Sequence, residues 1–428
     1  MLALWILITI LLLISGFPVG FAILLGAMVY ILQMGTVDPV IIATRAIIGV
    51  DSFIMLAIPL YIFAGAIMTH GGMAKRLMNF ALVLVGHLKG GLAHMNIVAS
   101  MIFAGMSGTA SADAAGLGQI EIPMMVNSGY TKQTSAVVTA MSSTIGPIIP
   151  PSVPFVIYGA LTGTSVGRLF LGGAIPGILM GLAMMFVVFL LARKYHYGVG
   201  KEKGPTFMEV LGALKESYLA LLTPIIILGG IIGGIFTPTE AAVVAVFYGL
   251  FITVFVYREL PIRDIPKVIY DSMVISAVIM FIIAAASIFG WVMLVSGLTN
   301  GMLKIIYSLS SAPWVALLLV NILLLILGCF VEITALMIML APLFVPLISN
   351  FGLDPVHFGV MITLNLMIGL VTPPVGMAMY ITCQLAKIKV VEFAKEGIPY
   401  YIILAVTLLI ITYIPDIVTF LPNLLMGK

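Results

Sequence analysis

The chain has 428 residues, of which 62% are hydrophobic and only 8% carry a formal charge. Soluble domains run near ~25% charged residues, so the composition excludes a water-facing globule, and the mean hydropathy of +1.26 agrees. A net charge of +3 spread over many loops makes no basic stripe, which excludes nucleic-acid binding.

The apolar runs are about 17 to 25 residues long, as spanning helices need, rather than the ~10-residue alternating segments of a membrane β-barrel. The expected fold class is an all-α membrane protein, a polytopic helical bundle in the lipid bilayer. Residues 2–34 form one apolar stretch interrupted only at Ser15-Gly16-Phe17-Pro18. A cleaved signal peptide would carry a basic start and a shorter apolar core. Here the first positive charge is Arg45, so the stretch is expected to stay as one long or broken transmembrane helix. No soluble domain is expected before or after the membrane part.

Arg45 and Asp51 flank residues 46–50 and can pair, anchor the interface or meet an anion; anchoring is the favoured reading. Apolar segments follow at 52–69, 91–103, 134–145, 153–161 and 171–191. A polar linker over 193–217 then divides a first repeat, 1–192, from a second, 218–428. Its basic residues place it in the cytoplasm. The second half continues with apolar segments at 218–236, 241–257, 273–296, 314–330, 335–348, 359–371, 375–385 and 398–413. Glu240 follows Thr239 at a helix start and reads as a cap. Cys329 and Cys383 have no C-x-x-C spacing, and the five histidines have no metal spacing, so neither a disulfide framework nor a transition-metal site is expected.

The chain repeats itself. Pro150-Pro151 recurs as Pro373-Pro374, 223 residues later (373 − 150). At that offset residues 122–151 align with 345–374 without a gap. Pro123/Pro346, Asn127/Asn350, Gly129/Gly352, Val137/Val360, Ile145/Ile368, Gly146/Gly369 and the two proline pairs are identical. The matches concentrate in residue types that break backbone ladders rather than in merely apolar ones. Gly105 and Gly328 share the offset. The expectation is two inverted repeats.

Irregular backbone inside hydrocarbon is tolerated only where it lines a cavity or is buried in protein, and paired interruptions mark a transporter's binding site. One pair is the proline motif. Consecutive prolines remove two amide donors and push the preceding residue out of the helix, so broken helices are expected near 134–166 and 357–386. Carbonyls freed at Gly146, Ile149, Gly369 and Val371, with the Thr372 hydroxyl, are hard oxygen ligands suited to Na⁺. Ser152 and Gly376 close the two links and are candidate substrate contacts.

The other pair is rich in small residues and ends in acids: Ser107, Gly108, Thr109, Ser111 and Asp113 in the first half, Gly328, Val331, Glu332 and Thr334 in the second. Apolar arms on each side predict re-entrant hairpins near 91–125 and 314–348. Ser107, Gly108, Thr109, Gly328 and Val331 are expected to complete the Na⁺ cages. Ser111, Asp113, Glu332 and Thr334 are assigned to substrate, because intramembrane acids are functional by default. Helix packing by small residues and capping by the acids are the plainer alternatives.

At these motifs the chain resembles the large membrane subunit (the M, or DctM-type, subunit) of tripartite ATP-independent periplasmic transporters. The resemblance runs through Gly49-Val50-Asp51-Ser52-Phe53, Ala57-Ile58-Pro59-Leu60, Ala64-Gly65, residues 105–113, Ile122-Pro123, Gly129-Tyr130, residues 147–152, 352–359 and 369–376, then Tyr413-Ile414-Pro415 and Leu421-Pro422. It implies a non-enzymatic secondary transporter of the bacterial inner membrane that imports organic acids, from C4-dicarboxylates to sialic acid, driven by Na⁺ through an elevator motion. Two Na⁺ ions and no organic cofactor are expected. It also implies a small membrane Q subunit, expected here as a separate chain because the sequence shows no N-terminal Q-like segment, and a periplasmic substrate-binding P subunit that delivers the carboxylate.

Two other classes remain in view. Gly105-Met106-Ser107-Gly108 matches the G-x-S-G of intramembrane serine proteases, with His94 the nearest base in sequence. A passive channel would need a continuous polar lining, whereas the polar residues concentrate at the breaks.

Overall fold

Proline and glycine divide the apolar runs into helices. The computed structural model describes residues 2–195, 197, 204–309 and 312–427, and these contain helices and no strand. The first apolar stretch is two helices, α1 (Leu2–Ile14) and α2 (Val19–Met34), parted at Ser15-Gly16-Phe17-Pro18. Pro18 has no amide with which to continue the first ladder. Next come α3 (Val40–Val50), then α4 (Ala57–His70) entered through a 3₁₀ turn, and α5 (Met73–Val85).

A helical hairpin follows. Its first arm is α6 (Gly91–Ser107); its second is α7 (Ala110–Gly116) continued by α8 (Gly118–Asn127). Then α9 (Lys132–Ser143) and α10 (Val153–Thr162) flank the first Pro-Pro pair, and α11 (Val166–Tyr195) closes the first half. Helix α11 runs through Tyr195, and α12 (Phe207–Ile232) begins on a Thr206–Glu209 capping box, so both ends of the expected 193–217 linker are helix. Residues 196 and 198–203 of that linker lie outside the described residues.

In the second half α13 (Pro238–Leu250) starts on a Thr237–Glu240 capping box, which is the role expected of Glu240. After it come α14 (Ile265–Val295), α15 (Leu298–Leu309), a hairpin of α16 (Pro313–Gly328) and α17 (Ile333–Phe351), and then α18 (Pro355–Gly369) and α19 (Met377–Ala386) around the second Pro-Pro pair. Helices α20 (Val390–Tyr413) and α21 (Asp416–Met426) end the chain. Seven helical stretches among the described residues are long and apolar enough to cross a membrane. Their outward faces keep large apolar side chains such as Phe186, Phe247, Tyr270 and Ile402 exposed, which lipid accommodates and water does not.

The two hairpins and the two interrupted helices interlock. The first hairpin packs on α9, the second on α18. The halves then cross over: α10 lies against α17 and α18, while α19 lies against α7, α8 and α9. Tyr158 on α10 donates its hydroxyl to Pro355 O at the head of α18, 2.8 Å away. Along one side α4 and α14 pack on each other and form a wall, with α2, α3 and α13 behind it.

A buried asparagine ties the first arm of each hairpin to the interrupted helix beside it. Asn96 donates to Thr139 Oγ1 (2.8 Å) and accepts from the Ser142 hydroxyl (2.7 Å). In the other half the Asn365 amide donates to Asn321 Oδ1 (2.7 Å), and Asn321 donates to Thr412 Oγ1 (3.0 Å). Ser142 and Asn365 stand at the 223-residue offset (365 − 142).

Candidate functional site

The first hairpin turns at Gly108, which takes a φ of +63° that a side chain would strain. The Gly108 carbonyl accepts the Val153 amide at 3.3 Å, so the turn is seated on the far end of the Pro150-Pro151 link. Behind the turn the Ser107 hydroxyl donates to Asp113 Oδ1. Asp113 is 1% exposed, and its other oxygen, Oδ2, has no hydrogen-bond partner. That oxygen lies 2.4 Å from where a Cβ on Gly146 would stand. Turn and link thus meet at Ser107, Asp113 and Gly146.

The link itself is held by Ser152. Its hydroxyl donates to Pro147 O at 2.5 Å and accepts the Phe155 amide, which caps α10. No hydrogen bond among the described residues reaches the carbonyl oxygens of Gly146 or Ile149. Buried carbonyls are nearly always paired. An unpaired carbonyl on buried Gly146, the residue that meets the unpartnered Asp113 oxygen, leaves acceptors without donors, which is what a desolvated cation requires.

The second hairpin and link meet in a related way with different wiring. The Cys329 carbonyl accepts the Val375 amide at 3.1 Å, and Gly328 lies directly on Gly369. Here the link carbonyls are engaged: Gly369 O accepts the Thr372 amide (3.1 Å), and Val371 O accepts the Tyr401 hydroxyl (2.6 Å). The Thr372 hydroxyl donates to Ile368 O at 2.7 Å, and the Val331 amide donates to Leu327 O. Glu332 caps α17, accepting the Ala335 amide (3.1 Å) and the Thr334 hydroxyl (2.9 Å). The capping alternative therefore holds for Glu332, whereas Asp113 works inside the tip.

A cavity of about 590 Å³ lies between the tips and the α4–α14 wall. Ser107, Thr109, Ser111, Glu332 and Thr334 all line it, with Pro147 and Leu370 from the two links. Thr69 of α4 and Asp271 and Ser272 of α14 line the opposite side. Asp113, Ser152, Val371 and Gly376 are buried behind this surface rather than in it. A second cavity, about 420 Å³, holds Arg45 near the Trp291 ring, 5.9 Å from its centroid.

Sequence reading passes over Glu121. This acid is wholly buried on α8, and neither of its carboxylate oxygens has a hydrogen-bond partner. The signal that marks it is the rule that finds Asp113, an acid inside an apolar segment. Asn96 and Asn321 escape for the same reason. The G-x-S-G motif, by contrast, lacks a base from His94: both residues are on α6, thirteen positions apart (107 − 94), roughly 20 Å along the axis. That separation is far beyond hydrogen-bond reach.

Comparison with known proteins agrees with this architecture. The family model described as the tripartite ATP-independent periplasmic transporter, DctM component, matches residues 6–417. The sialic acid TRAP transporter large permease protein SiaM of Vibrio cholerae is 40% identical over 416 residues, covering 97% of each chain. The C4-dicarboxylate TRAP transporter large permease protein DctM of Pseudomonas aeruginosa is 40% identical over 378 residues, 87% of each. Among solved structures MtrF of Neisseria gonorrhoeae, from a class of antimetabolite efflux pumps, superposes with a TM-score of 0.60 at 13% identity, over 87% of this chain and 83% of its own.

Proposed function

The chain belongs to the tripartite ATP-independent periplasmic transporter family as its DctM component, a multi-pass protein of the inner membrane, and on that premise we propose that it imports an organic acid by binding Na⁺ at its hairpin tips. The observation that carries the proposal is the unpartnered Asp113 Oδ2 against Gly146, whose own carbonyl accepts no hydrogen bond among the described residues. One Na⁺ binds there, with Ser107, Gly108 and Thr109 closing the cage. Asp113 then belongs to the ion rather than to the substrate. A second ion binds where Gly328 and Val331 face Gly369, Val371 and Thr372, and there it competes with the Tyr401 hydroxyl for the Val371 carbonyl.

The substrate occupies the 590 Å³ cavity with its carboxylate toward the Ser111 hydroxyl and its other polar groups toward Thr334 and Glu332. Coupling follows from solvation. An empty cage exposes unpaired carbonyls and a carboxylate, each costing several kcal/mol in hydrocarbon. Ions and substrate together satisfy them, so the loaded tips and links move as a unit along the α4–α14 wall, an elevator step. A small Q subunit supplied as a separate chain steadies the wall, and a periplasmic binding protein delivers the acid.

Uptake into proteoliposomes of the assembled transporter tests this reading. Accumulation is expected under an imposed Na⁺ gradient and to stop when K⁺ replaces Na⁺; equal rates in both would remove the sodium part.

A further inference from the structure

A cation without a counter-charge lies between the wall and the second hairpin. Arg45 of α3 lines the cavity of about 420 Å³ that α14 and α17 enclose with it. Its Nε is buried without a hydrogen-bond partner, and no acid among the described residues pairs with the guanidinium. The Trp291 ring, 5.9 Å away, accepts none of its N–H groups in a hydrogen bond. No described lining residue of this cavity is aspartate or glutamate, and apart from Arg45 and Ser287 the side chains around it are apolar or those of Trp291 and glycine. An arginine within a membrane protein is ordinarily paired. We propose that this cavity is a site for an anionic phospholipid, with the lipid phosphate on Arg45 and one acyl chain held between α14 and α17.

The order of the lining residues matches an amphiphile rather than a soluble anion. Trp291 stands four residues from the end of α14 (295 − 291), about 6 Å along the axis. Tryptophan and arginine together at a helix end mark headgroup level. From there the cavity follows α14 away from that end to Ile283, eight residues (291 − 283) or about 12 Å further on. Ile338, Pro342 and Val345 of α17 form the facing side. A guanidinium therefore stands over an apolar slot. Its planar fork suits a phosphate ester, which it binds through two N–H groups at once, and the slot takes hydrocarbon. The bilayer supplies both in one molecule. Because α14 and α17 also pack on each other, a chain held between them braces the second hairpin against the wall. The site stands independently of the ion and the substrate.

Thermal unfolding of the purified full-length chain in detergent tests the proposal, with phosphatidylglycerol, phosphatidylcholine of the same acyl chains, or glycerol phosphate added. Phosphatidylglycerol is expected to raise the unfolding midpoint at a concentration at least about tenfold below that needed of phosphatidylcholine, and glycerol phosphate to leave it unmoved. Arg45→Gln is expected to remove that preference, and Arg45→Lys, which keeps the charge without the fork, to retain part of it. Equal stabilisation by the two lipids, or an unchanged preference in Arg45→Gln, overturns the proposal. Glycerol phosphate acting as well as phosphatidylglycerol also overturns it, in favour of a site for free anions. Native mass spectrometry of the wild-type chain in an equal mixture of the two lipids needs no variant: selective retention of phosphatidylglycerol supports the site, and equal retention overturns it.

Discussion

Gly369 and Gly328 touch through their backbones: a Cβ on Gly369 would stand 2.7 Å from both the carbonyl carbon and the carbonyl oxygen of Gly328. The reverse is not true. A Cβ on Gly328 would find its nearest neighbour, Gly369 Cα, at 3.5 Å, an ordinary contact. The second hairpin is therefore seated on a surface that only glycine provides on one side. Gly369→Ala is expected to cost about 1–3 kcal/mol by overpacking and to lower uptake, while Gly328→Ala keeps near wild-type stability. Thermal unfolding of the two variants in detergent checks the asymmetry; equal effects would contradict it.

Asp113 presents one oxygen to Ser107 and leaves the other unpartnered against Gly146. Asp113→Asn is nearly isosteric but replaces a carboxylate with an amide that carries its own donors. Na⁺-dependent stabilisation of the protein is expected to weaken by about tenfold in apparent affinity, equivalent to about 1.4 kcal/mol. The measurement is the shift of the unfolding midpoint along a NaCl series at constant ionic strength.

Asn321 donates to Thr412 and accepts from Asn365, all three buried. Truncation to Ala removes one of the two acceptors of the Asn365 amide, which keeps the Asn321 backbone carbonyl at 3.0 Å, so the loss is expected to be about 0.5–1.5 kcal/mol. Asn365→Leu in the same background removes the amide whose partners have been reduced. The double variant is expected to recover part of the loss, a non-additivity that a double-mutant cycle reads directly.

Arg76 pairs with Glu259 at 2.6 Å and lies over the Tyr257 ring, 3.7 Å from its centroid. Both partners keep contact with solvent, so the ion pair contributes little, about 0–1 kcal/mol. Glu259→Gln is expected to leave stability almost unchanged, and that small difference should shrink as salt is added. Arg76→Ala loses the ring contact as well and is expected to cost more. Unfolding midpoints at low and high ionic strength separate the two terms.

Much of the architecture is legible in the linear chain. Apolar run length sets the helix class, because a helix rises a fixed 1.5 Å per residue and the bilayer core has a fixed thickness. Pro150-Pro151 and Pro373-Pro374 mark the interruptions of the two helices, because a missing amide breaks the ladder whatever surrounds it. A run of small hydroxylated residues, 107–111, marks the first hairpin tip. Those features are local, so sequence alone determines them.

What sequence leaves open depends on partners distant in the chain. Whether the carbonyls of a link are free is decided elsewhere: Tyr401, thirty residues on, takes the Val371 oxygen, and nothing comparable reaches Ile149. Asp113 turns inward to Ser107 and Gly146 while Glu332 caps its own helix, a distinction that neither acid's neighbours in sequence encode. That no lysine or arginine stands among the described lining residues of the cavity between the tips and the wall is likewise a property of packing, since Arg45 is folded into a different pocket. Charge and hydrogen-bond capacity are fixed residue by residue; what they meet is fixed only when helices far apart in the chain are brought side by side.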